Sequence, residues 1–384
     1  MKQNRQLMTL AFAAGITFAA APGVARELRY AVGYPPGAAA VGAAKDMAAL
    51  LDEATGGDLT IKVYTSALLG FGEMAGGVRD GIADVGYLVT PYFPQDFPRT
   101  NLLNDTSMKI STMGDEANAV AGMAYGGAMM EFIMLDCPEC LQEYADQNMV
   151  FTGVGPTATY HLLCNTPLTT VAELDGKRLR AGAGQWNRWA VEMGATPVQI
   201  TGQESLEAMK QGIIDCTVLS AVTALKDFQL INVATDVTIG VPGGVFAATP
   251  ATTVNAGVWS DLTPENRRAF LNAAAYMAAA VPMIDHQGEA DVLSEAAERG
   301  IATHAAADYL AKATADFVAA DASNVTGLYA EQFGVTDAED MIVRFEPILE
   351  KWVGMVQGVS TIEDLAEIYR NEIYSKVDEA EYGL

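Results

Sequence analysis

The chain has 384 residues, with 23 Lys plus Arg against 48 Asp plus Glu, a formal net charge of −25, half its residues apolar and only 18% charged. Such a chain has too much apolar content to remain disordered. It repels the phosphate backbone of nucleic acid, and its length suffices for two cores.

Residues 1–25 stand apart. Lys2 and Arg5 form a basic head, Leu7 to Ala21 is an uncharged, mostly apolar run, and Pro22-Gly23-Val24-Ala25 puts small residues before a cut after Ala25. This is the three-part pattern of a secretory signal peptide, and the run is short for a membrane span. Cleavage leaves 384 − 25 = 359 residues carrying −25 − 2 = −27 charges. The expected mature form is soluble and periplasmic.

Export changes how the four cysteines read. An even count in an oxidising compartment favours disulfides. Cys137-Pro-Glu-Cys140 falls between a helix end and a strand, which suits a structural bridge better than a redox pair opening a helix. Cys164 and Cys216 are candidates for a second bridge. The three histidines, His161, His286 and His304, are widely spread, so neither a metal site nor a cofactor is expected.

Strands and helices then alternate. Glu27–Gly33 reads as a strand ending in the turn Gly33-Tyr34-Pro35-Pro36-Gly37, Ala38–Thr55 as a helix stopped by Gly56-Gly57, and Leu59–Tyr64 as a strand. Gly76–Gly81 and Ile82–Leu88 give a short helix and a further strand. After Met149–Val154, strands are expected at Tyr160–Asn165, Arg178–Ala181 and Ile213–Leu219, with helices at Trp186–Met193 and Ser205–Gln211. From Pro264 onward the pattern is helical: Glu265–Asp285, Gln287–Arg299, Ala305–Gly327 and later segments. Strands separated by helices imply βαβ units with parallel pairing. No repeat of fixed period and no Pro/Gly/Ser linker divides the two α/β halves.

Five segments carry a family resemblance. Val171-Ala-Glu-Leu-Asp-Gly-Lys-Arg-Leu-Arg180 resembles the "DLKGxKxR" element of the DctP-type substrate-binding proteins of TRAP transporters. Met193-Gly-Ala-Thr-Pro-Val198 resembles their "lGAnPvpm", and Glu204–Asp215 (ESLEAMKQGIID) their "ExYxALqxGvvDG". Leu68-Leu-Gly70 resembles "sqLG", and Val254–Trp259 with Leu262-Thr-Pro264 resembles "vN…W..Lp/t.e". The five occur in family order and span most of the mature chain.

The resemblance implies an α/β, two-lobed periplasmic-binding-protein fold of type II-like character. Each lobe would be a mixed sheet flanked by helices, with long helices and a helical C-terminal tail. Lobe I is expected at 26–156 plus 248–285, and lobe II at 157–247 plus 286–384. The implied function is capture of a small organic acid between the lobes and its delivery to one small and one large membrane subunit, without catalysis. An exported sensory binding protein and an exported α/β enzyme are the alternatives. No GxSxG, HExxH or phosphate-loop pattern supports the enzyme.

By the same resemblance Arg180 is the residue that pairs with the ligand carboxylate. A guanidinium offers a planar fork matched to two carboxylate oxygens, and a chain this acidic needs a positive group focused in its cleft to hold an anion. Arg178, of the same strand parity, is the rival. Tyr34, Glu73, Thr90 and Tyr92 are candidate wall residues, the last two at a strand's C-terminal end, where open α/β sheets place ligands. Tyr160 stands where one family branch has a second Arg. Leu219, beside Ser220, stands where the family often has Asn. With Trp186 and Phe246 these make an expected cleft less polar than a dicarboxylate or sugar-acid site, which points to a monocarboxylate with an apolar or aromatic body.

Overall fold

The computed structural model describes residues 25–384, so the signal-peptide reading lies outside the described residues except at Ala25. Two sheets organise the chain. The first has the order β2-β1-β3-β10-β4, built from β1 (Arg26–Ala31), β2 (Leu59–Tyr64), β3 (Val85–Gly86), β4 (Met149–Val150) and β10 (Thr253–Asn255). The second has the order β11-β9-β5-β8-β6-β7, from β5 (Thr159–Cys164), β6 (Arg178–Arg180), β7 (Thr196–Val198), β8 (Cys216–Leu219), β9 (Asp236–Val245) and β11 (Ala302–Ala305).

Both sheets are mixed. β1 lies parallel to β2 and β3, and β6 parallel to β7 and β8, as expected for βαβ units, whereas β10 and β5 pair antiparallel with their neighbours. The chain passes from the first sheet to the second after β4, returns after β9, and leaves again after β10. These crossings replace a linker.

Each sheet contains the same local device. Arg29 on β1 donates to both oxygens of Asp84 (Nε–Oδ2 2.9 Å, Nη2–Oδ1 2.9 Å) and to the Gly81 carbonyl at 2.8 Å. Arg178 on β6 donates to both oxygens of Asp215 (Nε–Oδ2 3.0 Å, Nη2–Oδ1 2.7 Å) and to the Gly212 carbonyl. Gly81-Ile-Ala-Asp84 and Gly212-Ile-Ile-Asp215 are thus one turn used twice. Its glycine takes positive φ, 75° and 65°, which other residues adopt only at a cost.

Helix α1 (Ala39–Thr55) buries Ala40, Val41, Ala43, Ala44, Met47 and Leu51, and ends at Gly56 with φ 61°, the left-handed C-terminal geometry that glycine allows. Helix α2 (Ala121–Glu131) is buried along nearly its whole length. Helix α3 (Gly184–Glu192) follows β6 directly. Helix α4 (Pro264–Glu298) is one rod of 35 residues, where the sequence suggested a break near His286. At about 1.5 Å per residue it runs roughly 50 Å, packing on α1 and α2 of the first lobe and on residues 222–227 and β11 of the second.

Helices α5 (Asp308–Phe333), α6 (Ala338–Met355) and α7 (Ile362–Glu372) complete the chain. The sequence groups 286–384 with the second lobe, but α6 and α7 lie against the first. Trp352 fills the space left by Gly127, where a Cβ would stand 2.3 Å from the indole, and its Nε1 donates to Glu131 at 2.6 Å. Tyr374 donates to the Thr152 carbonyl at 2.8 Å, and Trp259 to that of Tyr382 at 2.7 Å. The buried aromatic residues of the tail find their pockets there.

Smaller differences have local causes. The expected strand 82–88 contracts to Val85–Gly86, although Tyr87 and Leu88 still donate to Ala31 and Pro250. β7, β9, β10 and β11 were not anticipated; β9 is interrupted by Gly240, Pro242, Gly243 and Gly244, and the other three are only three or four residues long. Among the described residues no helix is long and apolar enough to cross a membrane.

Both cysteine pairs are joined. Cys137–Cys140 closes three residues of chain; Cys164–Cys216 joins directly opposed residues of β5 and β8 across 52. In the chain-entropy picture the longer loop confers about 4 kcal/mol and the shorter under about 2 kcal/mol. A Cys164→Ser/Cys216→Ser variant should therefore lose about twice the unfolding free energy lost by Cys137→Ser/Cys140→Ser, measured from urea midpoints at constant m.

Candidate functional site

The chain just beyond β1 and β3 meets the second lobe: Tyr34 stacks on Phe228, and Tyr92 contacts Arg180 at the end of β6. Open α/β sheets place ligands at such C-terminal strand ends.

Arg180 closes β6. Its side chain is 1% exposed. Nε donates to the Ile200 carbonyl at 3.0 Å and Nη2 to the Tyr92 hydroxyl at 2.8 Å, while Nη1 is buried with no partner. The neighbouring Thr217 hydroxyl, level with Arg180 across β6 and β8, is also buried and unpartnered. A buried guanidinium with one donor edge unspent and no carboxylate in contact is costly unless something completes it. Arg178 is excluded as the rival: its side chain is 44% exposed, Asp215 takes its Nε and Nη2, and the Gly212 carbonyl takes its Nη1. That pairing holds Asp215 below its ordinary range.

Aromatic side chains back the guanidinium. Tyr160 stacks on Trp186 with ring centres 4.3 Å apart at 15°, and Phe246 stacks on both at 5.9 and 5.7 Å. Trp186 is wholly buried, with Nε1 tied to the Gly243 carbonyl at 2.9 Å, so it supports Tyr160 and Phe246 from behind. Burial pushes the Tyr160 phenol well above its ordinary pKa, with the charge of Arg180 pulling it back. Leu219 ends β8 and Ser220 follows it, both buried.

The remaining candidates fall into three places. Tyr92 is half-buried beside Arg180. Tyr34 lies across from it, stacked on Phe228 at 5.5 Å and edge-on to Phe71 and Tyr87. Thr90 is wholly buried, its hydroxyl 2.7 Å from Asn101 Oδ1 and 3.3 Å from the Ala248 carbonyl, so it braces the wall. Glu73 is exposed and turns back to accept the Gly70 N–H at 3.1 Å; the structure places it outside the group, as a cap on its own turn.

Four residues of this region escaped the sequence reading. Gly182 leaves room for the guanidinium: a Cβ there would stand 3.0 Å from both Arg180 Nη2 and the Phe246 ring. Asp285, on α4, accepts the Ala158 N–H at 2.8 Å, and burial pushes its carboxyl up to about 6. Asp227 accepts the Ala39 N–H at 3.2 Å across the lobes, and burial pushes it up to about 7. Arg188, on α3, bridges Asp105 of the first lobe (2.8 Å) and Asp321 of α5 (2.7 Å). A lone acid ending the apolar run 269–284 was the available signal for Asp285; the others gave none. A groove of about 650 Å³ opens beside Tyr92, Gly182, Arg188 and Ile200. Among the described residues no cluster of His, Cys, Asp and Glu could hold a metal ion.

Two α/β lobes with a shielded cation at their junction define a ligand receptor. The chain belongs to the DctP family, bacterial extracellular solute-binding protein family 7, whose pattern matches residues 31–323. The family consists of extracytoplasmic solute receptors rather than enzymes. Among solved structures the chain is similar to a Bordetella pertussis extracytoplasmic solute receptor that binds pyroglutamic acid (TM-score 0.69, 20% identity, covering 84% of this chain and 100% of that one). It is also similar to a Rhodoferax ferrireducens TRAP solute-binding protein with copurified benzoate (0.71, 16%, 86% and 99%). A third is a marine metagenome TRAP protein specific for aromatic acids, co-crystallised with 3-hydroxybenzoate (0.71, 18%, 85% and 99%).

Two predictions follow from this geometry. Gly182→Ala should press on the guanidinium and weaken acid binding by about 1–2 kcal/mol, roughly five- to thirty-fold, with little change in melting temperature; calorimetry with thermal unfolding checks both. Asp285 has a raised folded-state pKa, so between about pH 4 and pH 6 the native chain holds a proton that the unfolded chain has released. Its contribution is greatest in acid and falls by up to about 1.4 kcal/mol per pH unit as pH rises through that window. Asp285→Asn, which still accepts from Ala158, should flatten the stability–pH curve there and raise stability at pH 7.

Proposed function

We propose that the chain, after cleavage following Ala25, is the periplasmic receptor of a TRAP transporter. It captures a small organic monocarboxylate between its lobes and delivers it to the small and large membrane subunits. The observation that carries this reading is Arg180: a guanidinium 1% exposed, with Nη1 unpaired, in a chain of net charge −25. A carboxylate brings the acceptors that this edge lacks and neutralises a charge that is expensive to bury alone.

The ligand's body is read from the wall. Tyr160, Leu219 and Phe246 present little polar surface, and no second arginine stands at position 160 to hold another acid group. A ring bearing one carboxylate suits this site, and benzoate, 3-hydroxybenzoate and pyroglutamate, bound by the similar proteins, are such acids.

Arg180→Ala should lose about 2–5 kcal/mol of binding, roughly thirty- to several-thousand-fold in Kd, while unfolding stays cooperative. Titration calorimetry with benzoate and pyroglutamate is the measurement; an unchanged Kd would refute the role.

A further inference from the structure

The acid-site reading leaves one hydroxyl unassigned. The Tyr92 oxygen accepts from Arg180 Nη2 at 2.8 Å and from the Gly202 N–H at 3.0 Å. Guanidinium and amide nitrogens only donate, so both lone pairs of the phenol are occupied and its own O–H remains as a donor. Among the described residues the half-buried Tyr92 hydroxyl makes no hydrogen bond beyond these two. Arg180 Nη1, buried, makes none. The two unspent donors belong to one hydrogen-bonded unit but come from opposite lobes: Tyr92 follows β3 of the first sheet and Arg180 ends β6 of the second.

We infer that the Tyr92 hydroxyl and Arg180 Nη1 together receive the ligand's carboxylate, so that the acid group is gripped from both lobes and itself holds them closed. The inference rests on the acid-site reading and adds to it a specificity-determining residue. Arg180 Nη1 and the Tyr92 O–H can each only donate. A carboxylate supplies an acceptor to both, whereas an ammonium, which has no lone pair, satisfies neither. Closure is coupled to the anion because neither lobe alone holds both donors.

The test uses benzoate and pyroglutamate as probes on four proteins: the wild-type chain, Arg180→Ala, Tyr92→Phe, and a chain with 3-fluorotyrosine at position 92. Tyr92→Phe removes the O–H and should weaken binding about ten-fold or more. It also removes the oxygen that braces Arg180 and Gly202, so the fluorinated residue decides between the two roles. Fluorine acidifies the phenol, making it a stronger donor and a weaker acceptor. Donation to the carboxylate predicts tighter binding of both probes, whereas bracing alone predicts weaker binding. Small-angle scattering should show that benzoate contracts the wild-type chain but not Tyr92→Phe. Weakened or unchanged binding with fluorotyrosine, or wild-type affinity in Tyr92→Phe, overturns the inference. If Arg180→Ala loses binding while Tyr92→Phe keeps it, only this inference falls. If Arg180→Ala binds normally, or the wild-type chain binds neither probe, the acid-site reading falls with it.

Discussion

A guanidinium held out of water with part of its hydrogen-bonding edge unused is an unfavourable arrangement by itself, and much of this molecule is organised around it. Removing an ion from water costs several kcal/mol even after relaxation. Arg180 recovers some of that through the Ile200 carbonyl and the Tyr92 hydroxyl, but among the described residues no carboxylate pairs with it. The surplus of acidic residues elsewhere makes the exception more pointed. Carboxylates are plentiful in this chain, yet the nearest strand arginine, Arg178, is the one that receives one.

The contrast between Arg178 and Arg180 comes from a turn used twice. In each lobe a strand arginine is clamped by an aspartate at the end of a Gly-Ile-x-Asp turn, through Asp84 and Asp215. This clamp ties one strand, two residues before its end, to the turn before its parallel neighbour. In the first lobe the strand continues from Arg29 to Tyr30 and Ala31; in the second it continues from Arg178 to Leu179 and Arg180. A cation has been placed at the site end of one copy where the other copy carries a methyl group.

Contacts between the lobes surround that cation. Tyr34 stacks on Phe228, and Asp227 receives the first N–H of α1. On the other side, Arg188 reaches Asp105, and Gln185 meets Asn104 at 3.3 Å. Burial pushes the Asp105 carboxyl up against the pull of Arg188. These groups shield the Arg180 region from bulk water, where a carboxylate–guanidinium pair would be worth far less.

Sequence by itself determined what depends on neighbours in the chain. Alternating apolar strands and helices closed by glycine gave the α/β class, as for Leu59–Tyr64 and for α1 with Gly56. The spaced motif ending at Arg180 gave the family and singled out that arginine, because backbone turn chemistry ties it to a strand end. The tertiary structure alone decided what depends on partners far along the chain. Arg178 and Arg180 share parity, and only Asp215, 37 residues on, separates their roles. Glu73 was indistinguishable from a ligand contact until the Gly70 N–H claimed it. Asp227 and Gly182 carry no local signature, since their importance lies in what the opposite lobe and the guanidinium bring against them, and Asp285 shows only as a lone acid at the end of an apolar run. The tail's allegiance to the first lobe was likewise hidden, because an apolar helix face records that it will be buried but not against which surface.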